Sequence, residues 1–487
     1  MSSSMKKMWV GGQAVDGDVG VAPLVSVNPA TGQVNYEVAA AGAKAADAAV
    51  KVADEAARDP KWRNMLPPAR AAILSKIADG MERRGEELAR LQMIENGKVW
   101  RECQTQVKSA AATFRYYAAV CETTGSEVTP ARGDYLSMSV YEPYGVVAAI
   151  TPWNSPMTME AQKLAPALAA GNAVILKPSE ITPSTGLLLA EIAQQAGLPP
   201  GILNVLPGTG QQVGAALVEH PRVRMVSFTG GTESGRRIAE TAARKLMPVA
   251  LELGGKSPHI VFDDAPVDAA VAALAGGIFE GSGQSCVAGS RAFVQRGVYD
   301  EVVKKLSAVA RALKVDLPDA AGAEMGPLAT LAHRDKVAGM VDAARAAGAQ
   351  ILAGGARPDG KQLEGGAYYQ PTLIGGIDNN AAIAQQEIFG PVLCMIAFDD
   401  EDDLIAQANN SCFGLASGVW TRDYQRAWRV ARALEAGTVW INTYKQLSIA
   451  TPFGGFKDSG IGREKGVGGM RLYQQPKGIY FGMGQLA

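Results

Sequence analysis

The sequence predicts an α/β protein built on a doubly wound parallel sheet, with a second α/β unit and a small β element. The chain has 487 residues, which exceeds the size at which one hydrophobic core keeps growing, so two or three domains are expected. Short apolar runs alternate with helical patterns from residue 146 onward, as in strand–helix–strand units with parallel strands. A second series of the same kind runs from residue 257 to about residue 440.

The first third of the chain carries helices and then exposed strands. Apolar residues recur at helical spacing over residues 43–57, 67–92 and 99–121. Residues 124–145 alternate between apolar and polar positions, which predicts antiparallel strands. The tail after residue 470 alternates as well and has no partner nearby in sequence, so we predict an edge strand that pairs elsewhere.

The two parallel units have regular element order. In the first, predicted strands cover residues 146–150, 173–176, 202–206, 225–228 and 248–251. The predicted helices between them cover residues 157–170, 184–197, 210–219 and 233–244. In the second, predicted strands include residues 259–262, 292–295, 350–353 and 437–442.

Composition excludes several classes of protein. Hydrophobic residues make up 47% and charged residues 20% of the chain, with a net charge of −1. This balance is typical of a globular protein and gives no electrostatic footprint for nucleic acid or an acidic membrane. No apolar run reaches the roughly 18–20 residues that span a bilayer, and the amino terminus lacks the apolar core of a signal peptide. We therefore expect a cytoplasmic protein without nucleic-acid or membrane partners.

The cysteines and histidines do not predict a metal site. Five cysteines and three histidines are scattered along the chain, without a Cys-x-x-Cys pair and without zinc-ligand spacing. The number of cysteines is small and odd, which fits a reducing compartment. No metal is expected.

A cysteine and a carboxylate are candidates for a nucleophile and a base. Cys286 lies in Gly-Gln-Ser-Cys-Val-Ala-Gly, and Glu252 lies in Leu-Glu-Leu-Gly-Gly-Lys. A thiolate can form a covalent intermediate, and a carboxylate can activate the water that releases it. A free cysteine is more often a small buried hydrophobe, so this pair alone does not decide the chemistry.

Glycines and charged residues follow the predicted strands of the first unit. Gly230 to Gly235 follow one strand and open a helix, where free amides suit a pyrophosphate. A second glycine turn contains Gly210. Neither is a standard Gly-x-Gly-x-x-Gly motif, and two ordinary turns are the alternative. Lys177 and Glu180 follow another strand, at the edge where nucleotides bind, or they form a solvated loop.

Asn154 lies in a turn between two prolines, Thr-Pro-Trp-Asn-Ser-Pro, after the strand at residues 146–150. A side-chain amide held there can donate to an oxyanion. Alternatively, Asn154 caps the helix that begins near residue 157.

Seven motifs in order resemble the NAD(P)-dependent aldehyde dehydrogenase superfamily, in its non-acylating branch. They are Pro-Trp-Asn (152–154), Lys-Pro-Ser-Glu (177–180), Phe-Thr-Gly-Gly-Thr-Glu-Ser-Gly (228–235), Leu-Glu-Leu-Gly-Gly-Lys (251–256), Gly-Gln-Ser-Cys (283–286), Gln-Glu-Ile-Phe-Gly-Pro-Val (386–392) and Pro-Phe-Gly-Gly-Phe-Lys-Asp-Ser-Gly-Ile-Gly-Arg-Glu (452–464). The match extends over nearly the whole chain.

The resemblance implies oxidation of an aldehyde to a carboxylic acid. Cys286 is similar to the family nucleophile and Glu252 to its general base, and Asn154 with the Cys286 backbone amide matches the oxyanion hole. Lys163 and Glu464 fall where some relatives place a proton relay.

The resemblance also implies a nicotinamide cofactor. NAD is expected over NADP, because the Glu180 carboxylate near the adenosine ribose should repel a 2′-phosphate; some relatives with this residue use both. Gly231 departs from the serine of many members. The cofactor contacts implied are Ile150, Thr151, Pro152, Trp153, Lys177, Ser179, Glu180, Gly210, Gly230, Gly231, Gly235, Leu253, Glu387 and Phe389.

The family pattern divides the chain into three parts and predicts a homodimer or homotetramer. Residues 1–123 and 144–254 would form the dinucleotide-binding domain, residues 255–455 the catalytic domain, and residues 124–143 with 470–487 the oligomerisation element.

The substrate tunnel is expected to be polar. Its predicted lining is Ser155, Met159, Gln162, Lys445 and Phe453, with further polar residues at Arg101, Gln104, Thr105, Lys108, Ser109 and Gln446. This lining favours a polar aldehyde or a semialdehyde. If the lysines and arginines are instead solvated, an alkyl or aromatic aldehyde is the alternative. A coenzyme A-acylating enzyme and a non-catalytic scaffold are the remaining alternatives; Glu252 argues against the former, and Cys286, Glu252 and Asn154 together against the latter.

Overall fold

Two largely parallel sheets and a small antiparallel sheet make up most of the strand structure in the computed structural model, which describes residues 5–484. No helix in that span is long and apolar enough to cross a membrane.

The first sheet has eight strands, and its five central strands are parallel. The central strands are almost entirely buried, as their continuous apolar sequences require of a sheet covered on both faces. The spatial order of the strands is Gln13–Val15, Met8–Val10, Leu203–Val205, Ala173–Lys177, Val146–Ile150, Val223–Thr229, Val249–Glu252 and Gly460–Ile461.

Helices enclose the first sheet. One prediction was wrong: residues 67–92 do not form one helix. The helix is interrupted at Arg84, which separates Pro67–Arg83 from Gly85–Asn96. Arg84 leaves the helical conformation at φ −99° and ψ 23°, and its side chain instead bonds Glu87 and Glu191. The other helices of this part are Ala43–Arg58, Pro60–Arg63, Trp100–Thr123, Pro156–Ala169, Ser184–Gln195, Ala215–Glu219 (after a π-helical turn at Gly210–Gly214) and Thr232–Arg244.

The second sheet has seven strands, of which only the edge strand Gln350–Ala353 is antiparallel. Its order is Gln350–Ala353, Thr372–Gly375, Val392–Phe398, Arg291–Gln295, Pro258–Val261, Ala416–Trp420 and Thr438–Ile441. The accompanying helices are Val267–Phe279, Arg296–Ala312, Leu331–Ala346, Ala382–Gln385, Glu401–Asn409 and Tyr424–Ala433, with 3₁₀ turns at Glu280–Gly283 and Lys361–Leu363.

The strand after residue 470 pairs across a long stretch of sequence. Gln474–Gly482 lies antiparallel to Tyr135–Pro143, which also pairs with Glu127–Val128. The short helix Gly466–Arg471 precedes it. Two further antiparallel pairs join Leu24–Val27 to Val34–Val38 and Phe413–Gly414 to Phe456–Lys457. The predicted tail runs to residue 487, and its last three residues lie outside the described span.

The strands group along the chain in three sets. The first sheet takes strands from residues 8–15 and 146–252, the second from residues 258–441, and the antiparallel sheet from residues 127–143 and 474–482. Gly460–Ile461 crosses back to the first sheet and pairs with Leu251 and Glu252. The exact domain boundaries stay a prediction.

The carboxyl ends of the central strands meet at one edge of the first sheet. Ile150 pairs with Lys177 and Phe228, and Thr229 pairs with Glu252. Loops that follow parallel strands at such an edge form the usual binding crevice of an open α/β sheet.

Candidate active site

Cys286 lies on a loop whose backbone is strongly bent. After helix Val267–Phe279, three consecutive residues adopt left-handed φ values: 63° at Gly281, 58° at Ser282 and 71° at Gly283. A Cβ at Gly283 would overlap the backbone of Gly390. The glycines therefore permit both the turn and the close packing that place Cys286.

The Gly-Gly turn after Glu252 packs directly against this loop. A Cβ at Gly255 would overlap the carbonyl oxygen of Cys286. The N–H of Gly255 donates to Glu387 Oε1 at 3.0 Å. Glu252, Cys286 and Glu387 therefore approach one another although they belong to three distant segments.

Asn154 lies on the other side of the Cys286 loop. Its Nδ2 donates to the carbonyl oxygen of Gln284 at 2.9 Å. Gln284 is anchored in turn, since its Oε1 accepts from the Ala329 N–H at 2.8 Å. The amide of Asn154 is thus held two residues from Cys286, and it does not cap helix Pro156–Ala169, whose N-cap residue is Ser155.

The surroundings of Cys286 favour the neutral thiol. Burial, followed by the negative charges of Glu252 and Glu387, raises the pKa of Cys286 to about 12. The Val287 N–H and the ammonium of Lys465 act in the opposite direction. Cys286 packs beside Val287, Tyr444 and Phe453. Thiolate formation at this site therefore requires a base or added positive charge.

Glu252 ends strand Val249–Glu252 and is 5% exposed. Burial and then the charge of Glu464 raise its pKa well above the ordinary range, and Lys163 partly opposes them. Its Oε2 has no hydrogen-bond partner among residues 5–484. A raised carboxyl pKa suits a general base that works near neutral pH.

Lys163 and Glu464 form a buried ion pair at 2.7 Å. Ser227 links this pair to the hydroxyl of Tyr473, which donates to Ser227 Oγ at 3.0 Å. The Nε2 of Gln162 also donates to Glu464. Gln162 is only 3% exposed and completes the ion-pair network, and its place in the substrate pocket stays a prediction.

The residues expected to hold the cofactor line the carboxyl edge of the first sheet. Lys177 Nζ donates to Glu180 Oε2 at 3.2 Å, and Ser179 Oγ accepts from the Ile181 N–H at 3.3 Å. Gly231 is the N-cap residue of helix Thr232–Arg244, with nothing within 4 Å of a Cβ placed there. The remaining predicted contacts are distributed along the same edge and its following turns: Ile150, Thr151, Pro152, Gly210, Gly230, Gly235 and Leu253.

Two buried hydroxyls at this edge lack partners. Thr151 Oγ1 and Thr229 Oγ1 are inaccessible to solvent and have no hydrogen bond within residues 5–484. Orphaned polar atoms, free amides at a helix start and the Lys177–Glu180 pair are the groups that a dinucleotide requires. The residues present therefore fit a nicotinamide dinucleotide.

Glu387 and Phe389 face this edge from the second unit. Phe389 has φ 58°, and its ring lies 5.3 Å from the Trp153 ring in an edge-on arrangement. His333, which the sequence did not single out, bonds the Phe389 carbonyl oxygen at 2.7 Å through Nε2 and packs on Trp153. Burial raises the pKa of Glu387.

Only some of the polar residues that were predicted near the substrate tunnel are turned away from solvent. Arg101, Gln104, Thr105, Lys108 and Ser109 are all exposed, as is Gln446. For Arg101 and Lys108 the solvated alternative is therefore the observed state. Helix Trp100–Thr123 turns a different face inward: Gln106 donates to Ser155 Oγ at 3.1 Å, and Glu102 accepts from the Gly281 N–H at 3.0 Å.

Lys445 is not a solvated surface charge. Its Nζ donates to the Gly276 carbonyl oxygen at 3.1 Å, and its backbone has φ 55°. Burial lowers its pKa to about 8, while Glu280 acts against that shift. Met159 is half-buried and Phe453 is buried in the cluster that contains Cys286.

Three polar residues of the site were missed in the sequence. Glu102 and Gln106 stand four positions apart, and this spacing places both on one helix face. Lys465 directly follows the motif that ends at Glu464, and of these two residues only Glu464 was predicted to belong to the site. Its ammonium acts on the pKa values of both Cys286 and Glu252.

Comparison with known proteins agrees with this geometry. The family model described as the aldehyde dehydrogenase family matches residues 18–479. The chain belongs to the aldehyde dehydrogenase family. It is 40% identical over 480 residues to the betaine aldehyde dehydrogenase of Mesorhizobium japonicum, with 98% of each chain covered. It is 39% identical over 480 residues to a (Z)-2-((N-methylformamido)methylene)-5-hydroxybutyrolactone dehydrogenase of Acinetobacter baylyi, covering 98% of this chain and 97% of that protein.

Solved structures of family members superpose closely on this aldehyde dehydrogenase. The betaine aldehyde dehydrogenase of Staphylococcus aureus in complex with NAD+ matches with a TM-score of 0.97 and 36% identity, covering 99% of this chain and 96% of that chain. An NAD+ complex of an aldehyde dehydrogenase from Bacillus cereus matches with a TM-score of 0.96 and 38% identity, covering 99% and 97%.

The loop geometry generates a test. We expect Gly283→Ala to reduce kcat by about 100-fold, the loss that a misplacement of about 1 Å can cause. The added methyl would collide with Gly390 and require a left-handed φ of 71°. Gly339→Ala is the matched control, because Gly339 lies in helix Leu331–Ala346 with open space around it. Steady-state assays measure kcat for the two variants after both are shown to be folded. Equal activities would contradict the role given to the Gly283 turn.

Proposed function

We propose that this protein oxidises a polar aldehyde to the corresponding carboxylic acid with NAD+, through a thioester on Cys286. The observation that carries the proposal is the convergence of Cys286, Glu252 and Asn154 beside an edge suited to a dinucleotide. The solved relatives in complex with NAD+ support the choice of cofactor.

The first step is nucleophilic attack. The Cys286 thiolate forms a C–S bond with the aldehyde carbon, and the carbonyl oxygen becomes an oxyanion. Asn154 Nδ2 can turn from the Gln284 carbonyl oxygen, 2.9 Å away, to donate to that oxyanion together with the Cys286 N–H. When bound, the nicotinamide dinucleotide supplies the hydride acceptor for the oxidation.

The second step is hydrolysis of the thioester. Glu252 removes a proton from water, whose oxygen bonds to the acyl carbon while the C–S bond breaks. The carboxylic acid leaves and the sulfur of Cys286 is released. Burial and then the charge of Glu464 raise the pKa of Glu252. Lys163, Glu464, Ser227 and Tyr473 form one hydrogen-bonded network, which can pass on a proton taken up at Glu252.

The cofactor preference follows from Glu180. Its carboxylate is about half exposed and is held by Lys177 at 3.2 Å. A second negative charge at a ribose 2′-phosphate would be repelled there, so NAD is preferred over NADP.

The substrate side favours polar aldehydes over alkyl or aromatic ones. Gln106 donates to Ser155 at 3.1 Å, and Lys445 donates to Gly276 at 3.1 Å. The hydroxyl hydrogen of Ser155 and the remaining ammonium hydrogens of Lys445 can bond a polar substrate, and an alkyl or aromatic chain would cover them without offering a partner. A relative named for betaine aldehyde supports the polar class.

Asn154→Ala tests the oxyanion hole. We expect kcat to fall about 100- to 1,000-fold, the usual loss for one oxyanion donor. NAD+ binding, measured by fluorescence titration, should persist because Asn154 does not belong to the dinucleotide edge. The assay follows the absorbance of reduced nicotinamide with a panel of aldehydes. Turnover close to that of the unaltered enzyme would remove Asn154 from the mechanism.

The raised pKa of Glu252 generates a pH prediction. Only the deprotonated carboxylate accepts a proton, so kcat should rise with pH until the pH passes the raised pKa of Glu252. In Glu252→Gln we expect one burst of reduced nicotinamide per active site and little further turnover, because hydrolysis has lost its base. Rapid-mixing kinetics over pH 5–9 measure both effects. Sustained turnover in the variant would exclude Glu252 as the hydrolytic base.

A homo-oligomer is inferred from the edge strand Gln474–Gly482. Its side chains Tyr480 and Phe481 are 70% and 52% exposed, and an uncovered apolar edge invites association. All five cysteines are free, which fits a reducing compartment such as the cytoplasm. We expect Tyr480→Asp to shift a dimer or tetramer toward smaller species in light scattering, and Tyr424→Asp, on an exposed helix, to leave the mass unchanged. A monomeric unaltered protein would contradict the inference.

A further inference from the structure

Lys465 carries an unpartnered ammonium beside the reacting side chains. Its Nζ lies 5.0 Å from the centroid of the Phe453 ring. Within residues 5–484 it makes no ion pair and no hydrogen bond. Phe453 packs in the same cluster as Cys286, Val287 and Tyr444. The ring contact therefore places the ammonium next to the cluster that contains Cys286.

The backbone holds Lys465 in an unfavourable conformation. Its φ is 63° and its ψ is 174°, a region that residues with a Cβ rarely adopt. The N–H of Gly466 donates to Ile449 at 2.9 Å, and the Lys465 carbonyl oxygen accepts from Gly469 at 2.9 Å. Glycine would relieve this strain, yet the position carries a long cationic side chain. Strain retained at such a position points to a functional role.

Three other lysines around the site are already engaged. Lys163 pairs with Glu464 at 2.7 Å, and Lys98 lies 3.7 Å from Glu102. Lys445 donates to the Gly276 carbonyl oxygen and lies near Glu280 and Glu102. Lys465 is the one of these four lysines whose ammonium has no oxygen partner in the described span.

The acidic groups around Lys465 do not form an ion pair with its ammonium within residues 5–484. Glu464, Glu252 and Cys286 are the groups that act on its ammonium. Glu464 is already neutralised by Lys163, and Cys286 is held as a neutral thiol by burial and its neighbours. The Lys465 side chain is half-buried, so its ammonium is only partly shielded from water, and an incoming carboxylate would supply the direct partner that it lacks.

We propose that Lys465 binds a carboxylate of the substrate, so that the enzyme prefers aldehydes that carry a carboxylate at their far end. This inference rests on the proposed function and narrows its substrate class from polar aldehydes to semialdehydes. Lysine suits the role because its compact ammonium offers three donors to an anion. The Phe453 ring orients the ammonium without neutralising it.

The first test needs no turnover. Iodoacetate is anionic and iodoacetamide is neutral, and both alkylate the same thiol. We expect Lys465→Met to lower the ratio of their rates at Cys286 by about tenfold or more, the range for one hydrogen bond to a charged group. A role confined to the thiol pKa would slow both reagents equally and leave the ratio unchanged. That outcome would overturn the proposal.

Peptide mass spectrometry assigns each rate to its cysteine. Cys412 is exposed and is the internal reference, whose ratio should not respond to Lys465. Lys465→Arg keeps the positive charge and should restore most of the ratio. Lys304→Met is the matched lysine control, and the ratio should not change, because Lys304 is exposed on helix Arg296–Ala312 and was not placed in the site.

The second test compares substrates. Succinic semialdehyde is paired with butanal, and glutaric semialdehyde with pentanal, in assays with NAD+. We expect the ratio of kcat/KM for each semialdehyde to that for its neutral partner to fall about tenfold or more in Lys465→Met, mainly through KM. An unaltered enzyme that oxidises butanal but not the semialdehydes would overturn this proposal and leave the proposed function standing. Absence of turnover with every aldehyde would contradict the proposed function, and the alkylation ratio would still decide the role of Lys465.

Discussion

The site depends on the close contact between the Gly254–Gly255 turn and the loop that carries Cys286. At Gly255 even one additional methyl group would overlap the Cys286 carbonyl oxygen. The turn directly follows Glu252 at the end of a first-sheet strand, whereas Cys286 belongs to the second unit. Glu387 secures the same turn through the Gly255 N–H. This contact brings Glu252, Cys286 and Glu387 together, and it leaves little freedom in their spacing.

Burial controls the chemistry as much as position does. The pKa values of Cys286, Glu252 and Glu387 are all raised first by removal from water. The charges of Glu252 and Glu387 also raise the pKa of Cys286, because Coulomb interactions are strong where little water screens them. The positive charge of Lys163 lowers the pKa of Glu252, and that of Lys465 lowers the pKa values of both Cys286 and Glu252. Lys163 forms an ion pair with Glu464, whereas Lys465 forms no ion pair within residues 5–484. The two lysines therefore have different uses although both lie beside the same carboxylate.

The sequence was less informative about which face of a helix points inward. Arg101, Lys108 and their neighbours were predicted to face the tunnel, yet Glu102 and Gln106 are the residues that contact the site. The apolar pattern of that helix is compatible with more than one rotation about its axis, and packing decides the rotation. The hydrogen bond of Gln162 was equally hidden in the sequence. Gln162 lies on helix Pro156–Ala169 with Met159, but its amide reaches a carboxylate 302 positions away in sequence.

By itself, the sequence determined the fold class, most strand positions and the family, because apolar runs, glycine turns and ordered motifs are local features. It also singled out Cys286, Glu252 and Asn154 as candidates, although their catalytic roles stay predictions. The break of the helix at Arg84, the inward face of helix Trp100–Thr123 and the surroundings of Lys445 and Lys465 were decided by tertiary structure alone. These features depend on contacts between residues far apart in the chain, and no local pattern records which charge is buried, paired or left without a partner.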